Sequence, residues 1–436
     1  MHPVETTTRA ERALLVGLAL SDRERWEKIE SLDELAQLAA TAGAEVAEKI
    51  LQTRRKPDPA YLIGKGKVDE LAKAAQEIPV DLLIFDEELS PAQVRNIESV
   101  TETRVVDRSE LIMDIFAIHA RSRAAKIQVE LAQLNYRLPR LVGRGVELSR
   151  LGGGIGTRGP GETKLEVDRR RIRARIAQLK RDLTSLETSR MVQRQGRGDA
   201  FRVALAGYTN AGKSTLMNAL SSAGVTVADQ LFATLDATTR QIDLGTRRDI
   251  LLTDTVGFIR HLPHHLVASF HATLEETIEA DLILHVVDVS HTAYRQQMAT
   301  VDEVLSELGC IDTSTLVVFN KIDQLEDQSC LDLIRSRYPM SVAASALTGV
   351  GIETVKARIV ALAEDMDREE VLFLPLDATK LLAQVHRDGR IIEEIFEDSR
   401  IQVRVRMDRA KLSRLQREIA DAWARAQDRP GAGEQD

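Results

Sequence analysis

The sequence predicts a multidomain α/β protein: a small α/β domain, a long helical hairpin, a second α/β domain with a parallel sheet, and a small α+β domain. Three observations predict this class. The 436 residues exceed the length of one ordinary domain. Short apolar runs alternate with amphipathic segments in two separate parts of the chain, and a highly charged segment lies between them. We place the domains at residues 1–120, 121–198, 199–366 and 367–436.

The first domain is predicted from apolar runs of strand length that alternate with helical patterns. Ser90 is a good N-cap for one of these helices, because Pro91 follows at the first helical position. Alternation of this kind indicates a mostly parallel sheet. Strands are predicted at residues 13–20, 81–85 and 104–106, and helices at 68–77 and 91–100.

The segment from 121 to 198 is predicted to form a helical hairpin. Residues 124–138 and 163–193 have helical patterns, and a glycine-dense connection at 141–162 joins them. A connection of this length is typical of a functional or disordered segment. One apolar seam recurs at spacings of three and four along the second helix. It consists of Ile172, Ile176, Leu179, Leu183 and Leu186.

This hairpin segment is strongly basic. It has 19 Lys or Arg against 7 Asp or Glu, a net charge near +12 in a chain that carries −8 overall. The simplest interpretation is a solvated helix face, but the contrast with an acidic remainder favours contact with RNA phosphates. Tyr136 is the only aromatic residue of the segment. We therefore expect recognition of the RNA backbone rather than stacking on bases.

The second α/β domain and the tail that follows it have different patterns. The domain has four apolar runs of the length expected for buried parallel strands, whereas the tail mixes alternating strands with helices. The predicted strands of the domain are residues 203–206, 250–253, 282–287 and 315–319. In the tail, strands are predicted at 371–374 and 401–407, and helices at 379–386 and 409–423.

A phosphate-binding loop is predicted directly after the first strand of the second α/β domain. The sequence there fits G-x-x-x-x-G-K-S and opens a predicted helix. Glycines let backbone N–H groups converge on phosphates, and the helix start adds partial positive charge. Lys213 would contact the β- and γ-phosphates, and Ser214 would coordinate Mg²⁺. The residues assigned are Gly207, Tyr208, Thr209, Asn210, Ala211, Gly212, Lys213, Ser214 and Thr215.

Three further motifs follow predicted strands. Asp254 can hold the magnesium shell, and the Gly257 N–H can meet the γ-phosphate. The Asp323 carboxylate can accept hydrogen bonds from guanine N1–H and its amine, a donor pair that adenine lacks, and an unpaired acceptor costs about 1–3 kcal/mol. The assigned residues are Asp254, Thr255, Val256 and Gly257; Asn320, Lys321, Ile322 and Asp323; and Ser345, Ala346 and Leu347, which offer a backbone N–H to guanine O6.

Together these motifs resemble the signature of the GTPase superfamily, and the chain is more narrowly similar to the HflX family. The resemblance rests on GYTNAGKSTL at 207–216, the FATLD segment at 232–236 and the DTVGF segment at 254–258. It extends to LIGKGKVDEL at 62–71, DLLIFDEELSPAQ at 81–93 and GGGIGTRGPGETKLEVDRR at 152–170. The resemblance implies that the second α/β domain is a P-loop GTPase domain.

The resemblance also implies roles for individual residues. Thr234 would close on Mg²⁺ and the γ-phosphate; the sequence alone leaves Thr234, Thr238 and Thr239 open. The FATLD segment adds Phe232, Ala233, Thr234, Leu235 and Asp236 to the nucleotide-binding set. The catalytic residues would be Lys213, Thr234 and Gly257. The metal would be held by Ser214 and Thr234, with Asp254 in its outer shell.

By the same resemblance we expect binding to GTP or GDP and to the ribosome, with dissociation of subunits under stress as the leading role. The connection of the hairpin would contact the large subunit near its peptidyl-transferase region. The residues expected to contact ribosomal RNA are Arg150, Arg158, Arg169, Arg170 and Arg171.

Phe258 follows Gly257, at the position where many GTPases have a glutamine that orients the attacking water. An apolar ring cannot position water, so we expect slow intrinsic hydrolysis that the ribosome accelerates. The alternative is that Phe258 only packs and another group places the water. No general base is assigned.

Two further patterns are interpreted as having no such function. Residues 154–159 match G-x-G-x-x-G, but no strand precedes them and Pro160 follows where a helix should begin. His261, His264, His265 and His271 are interpreted as solvated or partner-facing, because they lack cysteine or paired carboxylates.

Two competing hypotheses belong to other functional classes. One is an RNA-remodelling module that the nucleotide merely regulates, and the other is a signalling GTPase with a protein target. Cys310 and Cys330 lack metal-like spacing, and no apolar run has the length of a membrane span. We therefore expect a cytoplasmic protein without stable membrane insertion, and a monomer.

Overall fold

A computed structural model describes residues 10–141, 160–195, 200–221, 231–232, 234–246, 249–260, 276–325, 329–365, 367–376, 378–397 and 399–427. The chain divides into two compact units. The first comprises Met1–Asp243 and Arg247–Ile352, and the second comprises Leu244–Thr246 and Glu353–Asp436.

A four-stranded parallel sheet begins the first unit, in the strand order β2-β1-β3-β4. The predicted strands β1, β3 and β4 are confirmed. β2 was not predicted, because about half of its residues are exposed and it has no continuous apolar run. The strands are β1 (Arg12–Ala19), β2 (Glu45–Thr53), β3 (Leu82–Phe85) and β4 (Arg104–Asp107). The helices are α1 (Arg25–Thr41), α2 (Lys65–Glu77), α3 (Pro91–Thr101) and α4 (Arg108–His119).

Local capping explains where two of these helices begin. Ser90 caps α3 as predicted: its side chain accepts from the Gln93 N–H, and the Gln93 side chain accepts from the Ser90 N–H. The Asp107 side chain caps α4 by accepting from the Glu110 N–H at 2.9 Å. Both caps satisfy N–H groups that a helix start would otherwise leave unpaired.

Two long helices follow, α5 (Arg123–Arg140) and α6 (Pro160–Gln195). They pack together through the predicted seam: Ile127 and Leu131 of α5 lie against Leu179 of α6. Ile176, Leu183 and Leu186 extend this contact. Arg175 adds a two-pronged ion pair with Glu130 at 2.7 and 2.8 Å. The glycine-rich connection lies outside the described residues from 142 to 159.

A second, six-stranded sheet has the order β10-β9-β8-β5-β7-β6, in which only the β6–β7 pair is antiparallel. Carboxyl ends of parallel strands meet at one edge, which is where α/β sheets bind ligands. The strands are β5 (Phe201–Gly207), β6 (Thr238–Ile242), β7 (Ile250–Asp254), β8 (Leu282–Asp288), β9 (Ser314–Asn320) and β10 (Val342–Ala343). The helices are α7 (Lys213–Ser221), α8 (Tyr294–Glu307) and α9 (Ser329–Arg337), with a 3₁₀ turn at Ile322–Gln324.

One apolar core joins the two sheets of the first unit. Phe116 of α4 and Ala125 of α5 belong to the same cluster of buried side chains as Phe232, Leu235 and Phe258. The Phe116 and Phe232 rings meet edge to face, with centroids 4.7 Å apart. The FATLD and DTVGF segments are therefore packed against the N-terminal domain rather than exposed.

A buried ion cluster lies beside this core. Arg108 is 2% exposed and binds Asp86 at 2.7 Å and Glu34 at 2.5 Å. Burial raises the pKa of Asp86, but Arg108, Lys28 and Ser31 outweigh it and bring that pKa below its usual value. Removing one partner from such a cluster leaves an uncompensated buried charge.

The second unit is a small α+β domain, as predicted. Its antiparallel sheet has the order β11-β13-β12, and one face packs on the final helix through Val403, Val405 and Leu415. Its elements are α10 (Ile352–Asp365), β11 (Asp367–Pro375), α11 (Thr379–Asp388), β12 (Arg390–Phe396), β13 (Arg400–Asp408) and α12 (Arg409–Gln427). In the described part of the chain, no helix has both the length and the apolar character needed to span a bilayer.

The buried ion cluster makes a testable prediction. Arg108→Met should lower the free energy of opening of β1 and β3 by roughly 3–5 kcal/mol, because Asp86 loses its main buried cation. Hydrogen exchange of the β1 and β3 amides measures this directly. Lys49→Met is the control: Lys49 pairs with Asp33 at an exposed site, and such pairs contribute about 0–1 kcal/mol. Equal protection in both variants would contradict a supporting role for Arg108.

Candidate nucleotide-binding site

The predicted phosphate-binding loop connects β5 to α7, which begins at Lys213. Two of its glycines are required because neighbouring atoms leave no room for a side chain. A Cβ at Gly207 would lie 2.3 Å from the Val286 carbonyl oxygen, and one at Gly212 would lie 2.3 Å from Asn320 Nδ2. Gly212 and Asn210 also have positive φ, +90° and +59°. The loop is thus held in a conformation that most side chains disfavour.

The Lys213 side chain lies within its own loop. Its ammonium donates to the carbonyl oxygens of Gly207 at 3.1 Å and Tyr208 at 2.9 Å. Burial lowers the pKa of Lys213 to about 8, against the opposing effect of the Asp254 carboxylate. A buried cation with only neutral acceptors is well placed for an anionic ligand.

Three oxygen-bearing side chains meet beside Lys213. The Ser214 hydroxyl donates to Asp254 Oδ2 at 2.6 Å, and the Thr234 hydroxyl lies 2.9 Å from Ser214 Oγ and 3.1 Å from the same carboxylate oxygen. Asp254 Oδ1 is buried without a hydrogen-bond partner. Burial is the main reason that the pKa of Asp254 is raised, although Lys213 opposes it. Hydroxyl and carboxylate oxygens with an orphaned acceptor fit Mg²⁺, which prefers hard oxygen ligands.

The opposite end of the site is organised by Asn320. Its amide donates to the Ala211 carbonyl at 2.9 Å and accepts from the Ala346 N–H at 2.9 Å, so one side chain ties together three loops. Lys321 has φ +62° and binds Asp288 at 2.7 Å, which fixes its ammonium. Asp323 lies in the 3₁₀ turn that follows.

These loops enclose a cavity of about 500 Å³, within the usual size range for small-molecule sites. Most of the predicted residues line it. The lining consists of Thr209, Asn210, Gly212, Lys213, Ser214, Thr215, Phe232, Thr234, Thr255, Gly257, Asn320, Lys321, Asp323, Gln324, Ala346 and Leu347. Gln324 was not predicted, although its position directly after Asp323 could have indicated it.

The other predicted residues are placed behind or beside this lining. Asp254 accepts from the Ser214 hydroxyl without lining the cavity. The Ser345 hydroxyl accepts from the Thr348 N–H in the turn that contains Ala346. Ala233 lies outside the described residues. The remaining residues that do not line the cavity are Gly207, Tyr208, Ala211, Leu235, Asp236, Val256 and Ile322.

Two of these residues instead contact parts of the chain that precede the second α/β domain. The Tyr208 hydroxyl donates to Glu34 Oε1 at 2.5 Å and accepts from the Arg260 N–H at 2.9 Å. Asp236 accepts from the backbone N–H groups of Arg121 and Ser122. Glu34 was not predicted as a partner of the phosphate loop, because no local pattern connects residues this far apart.

Phe258 is 2% exposed and packs in the shared apolar core. Its N–H donates to Gly207 O at 3.1 Å, and its carbonyl accepts from Thr209 N–H at 2.7 Å. These bonds fasten the DTVGF segment to the phosphate loop. Phe258 therefore joins the phosphate loop to the shared apolar core.

The basic helix α6 carries Arg169, Arg170 and Arg171, of which the last two are exposed and the first is half-buried. Arg150, Arg158, the glycine pattern at 154–159 and the four histidines between 261 and 271 lie outside the described residues. Among the residues that are described, no three His, Cys, Asp or Glu side chains cluster as metal ligands.

The comparisons with known proteins agree with this arrangement. Residues 29–117 match the family described as GTP-binding GTPase N-terminal, 119–197 match GTP-binding GTPase Middle Region, and 202–321 match 50S ribosome-binding GTPase. A curated relative from Caldanaerobacter subterraneus, described as GTPase HflX, is 47% identical over 90% of this chain and 90% of its own. Relatives with the same description from Lacrimispora saccharolytica (45% identity, 91% and 94% covered) and Magnetococcus marinus (44%, 98% and 99%) also match.

The close approach of Gly212 to Asn320 makes a second prediction. Gly212→Ala should weaken GDP binding about tenfold or more, a loss of about 1.4 kcal/mol, because the added Cβ displaces the amide that joins the loops. Titration with a fluorescent GDP analogue measures this. Gly309→Ala is the matched control, since Gly309 also has positive φ, +80°, but nothing within 4 Å of the added atom. If both variants bind GDP alike, the joining role of Asn320 is wrong.

Proposed function

We propose a ribosome-directed function for this protein, which belongs to the HflX family of GTPases. It hydrolyses GTP to GDP and phosphate. The proposal is that the GTP-bound form binds the large ribosomal subunit and promotes dissociation or rescue of ribosomes under stress. The match of residues 202–321 to the 50S ribosome-binding GTPase family carries this proposal. A ribosomal partner would place the protein in the cytoplasm, and we propose that it acts as a monomer.

The proposed chemistry begins with the phosphates. Lys213, already desolvated, would exchange its two carbonyl acceptors for β- and γ-phosphate oxygens. Ser214 and Thr234 would hold Mg²⁺, with Asp254 behind them accepting from the Ser214 hydroxyl. A bound Mg²⁺ supplies charge that neutralises the phosphate oxygens during transfer. The Gly257 N–H would meet the γ-phosphate.

Guanine would be read at the other end of the cavity. Asp323 would accept from guanine N1–H and the exocyclic amine, and Lys321 would lie over the base. The Ser345–Leu347 loop, which is tied to Asn320 through the Ala346 N–H, would lie beside guanine O6. Fixed polar groups of this kind discriminate strongly, because a ligand that lacks the matching donors leaves a charged acceptor unpaired.

Phe258 supports the proposal that hydrolysis is slow without a partner. Its ring is buried and has no group that could orient water. We propose that the ribosome orders the FATLD and DTVGF segments and so completes the active site, as partner proteins do for other GTPases.

The basic hairpin is the proposed RNA-contacting element. Arg170 and Arg171 are exposed on α6, and Arg169 lies beside them. With Arg150 and Arg158 they would bind ribosomal RNA phosphates, which makes binding dependent on salt. A signalling GTPase with a protein target would not need these arginines, and an RNA-remodelling module would act on RNA through residues 1–198 alone.

The first test is GTP turnover with and without ribosomes. Ribosomes or large subunits should stimulate turnover on the order of tenfold or more, because ordering of both segments replaces the missing glutamine. Lys213→Ala is the control and should abolish turnover in both conditions. Absence of both stimulation and ribosome binding would refute the ribosome-directed function.

The hairpin makes a separate prediction. Reversal of Arg169, Arg170 and Arg171 to Glu should weaken ribosome binding and reduce its salt slope by about one for each lost phosphate contact. Sedimentation with ribosomes at several salt concentrations measures both quantities. A matched control reverses Arg55, Lys56 and Lys65, three cations of the N-terminal domain, for the same change in net charge. Equal weakening by both triples would show that only net charge matters.

A further inference from the structure

Asp236 ends the FATLD segment but does not line the nucleotide cavity. Its Oδ2 accepts from the backbone N–H groups of Arg121 and Ser122, each at 2.9 Å, and its Oδ1 accepts from the Ser122 hydroxyl. These two residues immediately precede α5, and Ser122 is the N-cap of that helix. A carboxylate from the GTPase domain thus sits at the start of the first hairpin helix, where a helix favours negative charge.

Thr234 and Leu235, which precede Asp236, have separate contacts. Thr234 lies between Ser214 and Asp254, with its hydroxyl 2.9 and 3.1 Å from their oxygens. Leu235 is 1% exposed and belongs to the apolar core shared with the N-terminal domain. Because only one residue separates Thr234 from Asp236, the anchor at α5 restricts where the Thr234 hydroxyl can lie.

Phe232 holds the other end of the same segment. Its N–H donates to Thr209 Oγ1 at 3.1 Å, and its ring packs edge to face on Phe116 of α4. The FATLD segment is therefore fastened on both sides of Thr234, to α4 of the N-terminal domain by a ring contact before it and to the start of α5 by a charged hydrogen-bond cluster after it. Hydrogen bonds to a charged acceptor are the stronger kind.

We propose that Asp236 is a positioning residue for GTP hydrolysis: by binding Arg121 and Ser122 at the start of α5, it keeps Thr234 at the phosphate loop. This inference rests on the proposed role of Thr234 and is independent of the ribosome. The start of the first hairpin helix then forms part of the active-site support. Misplacement of a positioned group by about 1 Å can reduce a rate by up to about 100-fold.

The first experiment compares Asp236→Ala with Asp281→Ala in the full chain without ribosomes. Asp281 is a matched control, because it is another partly buried carboxylate of the same domain and accepts from the Arg202 N–H at 2.8 Å, away from the FATLD segment. Intrinsic turnover gives kcat and KM, and titrations give the affinities for GDP and for a non-hydrolysable GTP analogue.

Asp236→Ala should lower kcat about tenfold or more and lower the preference for the GTP analogue over GDP, because only the triphosphate state needs Thr234 in place. GDP affinity and the melting temperature with GDP should match those of Asp281→Ala. Wild-type kcat and preference in Asp236→Ala would overturn the inference. Equal loss of GDP and GTP binding would also overturn it, since that indicates a general structural role.

A second pair tests the partner side of the contact. Ser122→Ala removes a helix cap and the hydroxyl bond to Asp236, one of three bonds at that carboxylate, whereas Ser90→Ala removes only a helix cap, at α3. Only Ser122→Ala should lower kcat, and Ser122→Thr should restore it because the hydroxyl is retained. Equal kcat in Ser122→Ala and Ser90→Ala would count against the contact.

Thr234→Ala, measured in parallel, tests the role of Thr234 separately from that of Asp236. If Thr234→Ala lowers kcat and Asp236→Ala does not, the inference about Asp236 is wrong and the proposed role of Thr234 survives. If Thr234→Ala keeps wild-type kcat, both are wrong. No result of these measurements depends on whether the protein binds ribosomes.

Discussion

The site depends on the burial of the FATLD and DTVGF segments against helices α4 and α5. Phe232, Leu235 and Phe258 share one core with Phe116 and other side chains of α4 and α5. Burying each such side chain contributes about 1.5–3 kcal/mol. In the proposed switch, these segments would exchange one packed arrangement for another when the γ-phosphate is lost. Packed cores behave in this discrete way, which is what a switch requires.

A polar layer accompanies this apolar contact. Arg108 binds Glu34, and Glu34 in turn accepts from the Tyr208 hydroxyl of the phosphate loop. Buried ion clusters are poor sources of net stability, because desolvation offsets most of the attraction. Their geometric demands are strict, however, so this cluster fixes how the N-terminal domain meets the loop. The apolar core holds the FATLD and DTVGF segments against α4 and α5, and the polar layer orients the phosphate loop relative to the N-terminal domain.

The cavity-lining residues that belong to local sequence motifs could be predicted from the sequence. The phosphate loop, Asp254 and Asn320 each follow an apolar strand, and parallel strands place such ends together. Thr234 required a resemblance to a family, because three threonines fitted equally. β2 and the contacts of Glu34 and Asp236 were not predicted. β2 lacks a continuous apolar run. The contacts of Glu34 and Asp236 pair residues far apart in the chain and leave no periodic signal, since each depends on how two domains pack.

The amide of Asn320 spans the distance between the phosphate loop and the loop that presents Ala346. This amide hydrogen-bonds to both loops, so a shift of either loop would strain one of these two bonds. The two ends of the cavity are consequently connected through one side chain. In the proposed nucleotide complex, this side chain would help to set the distance between the groups that bind the base and those that bind the phosphates. The distance between the two ends of the cavity would then contribute to ligand selectivity, in addition to the contacts with the base and the phosphates.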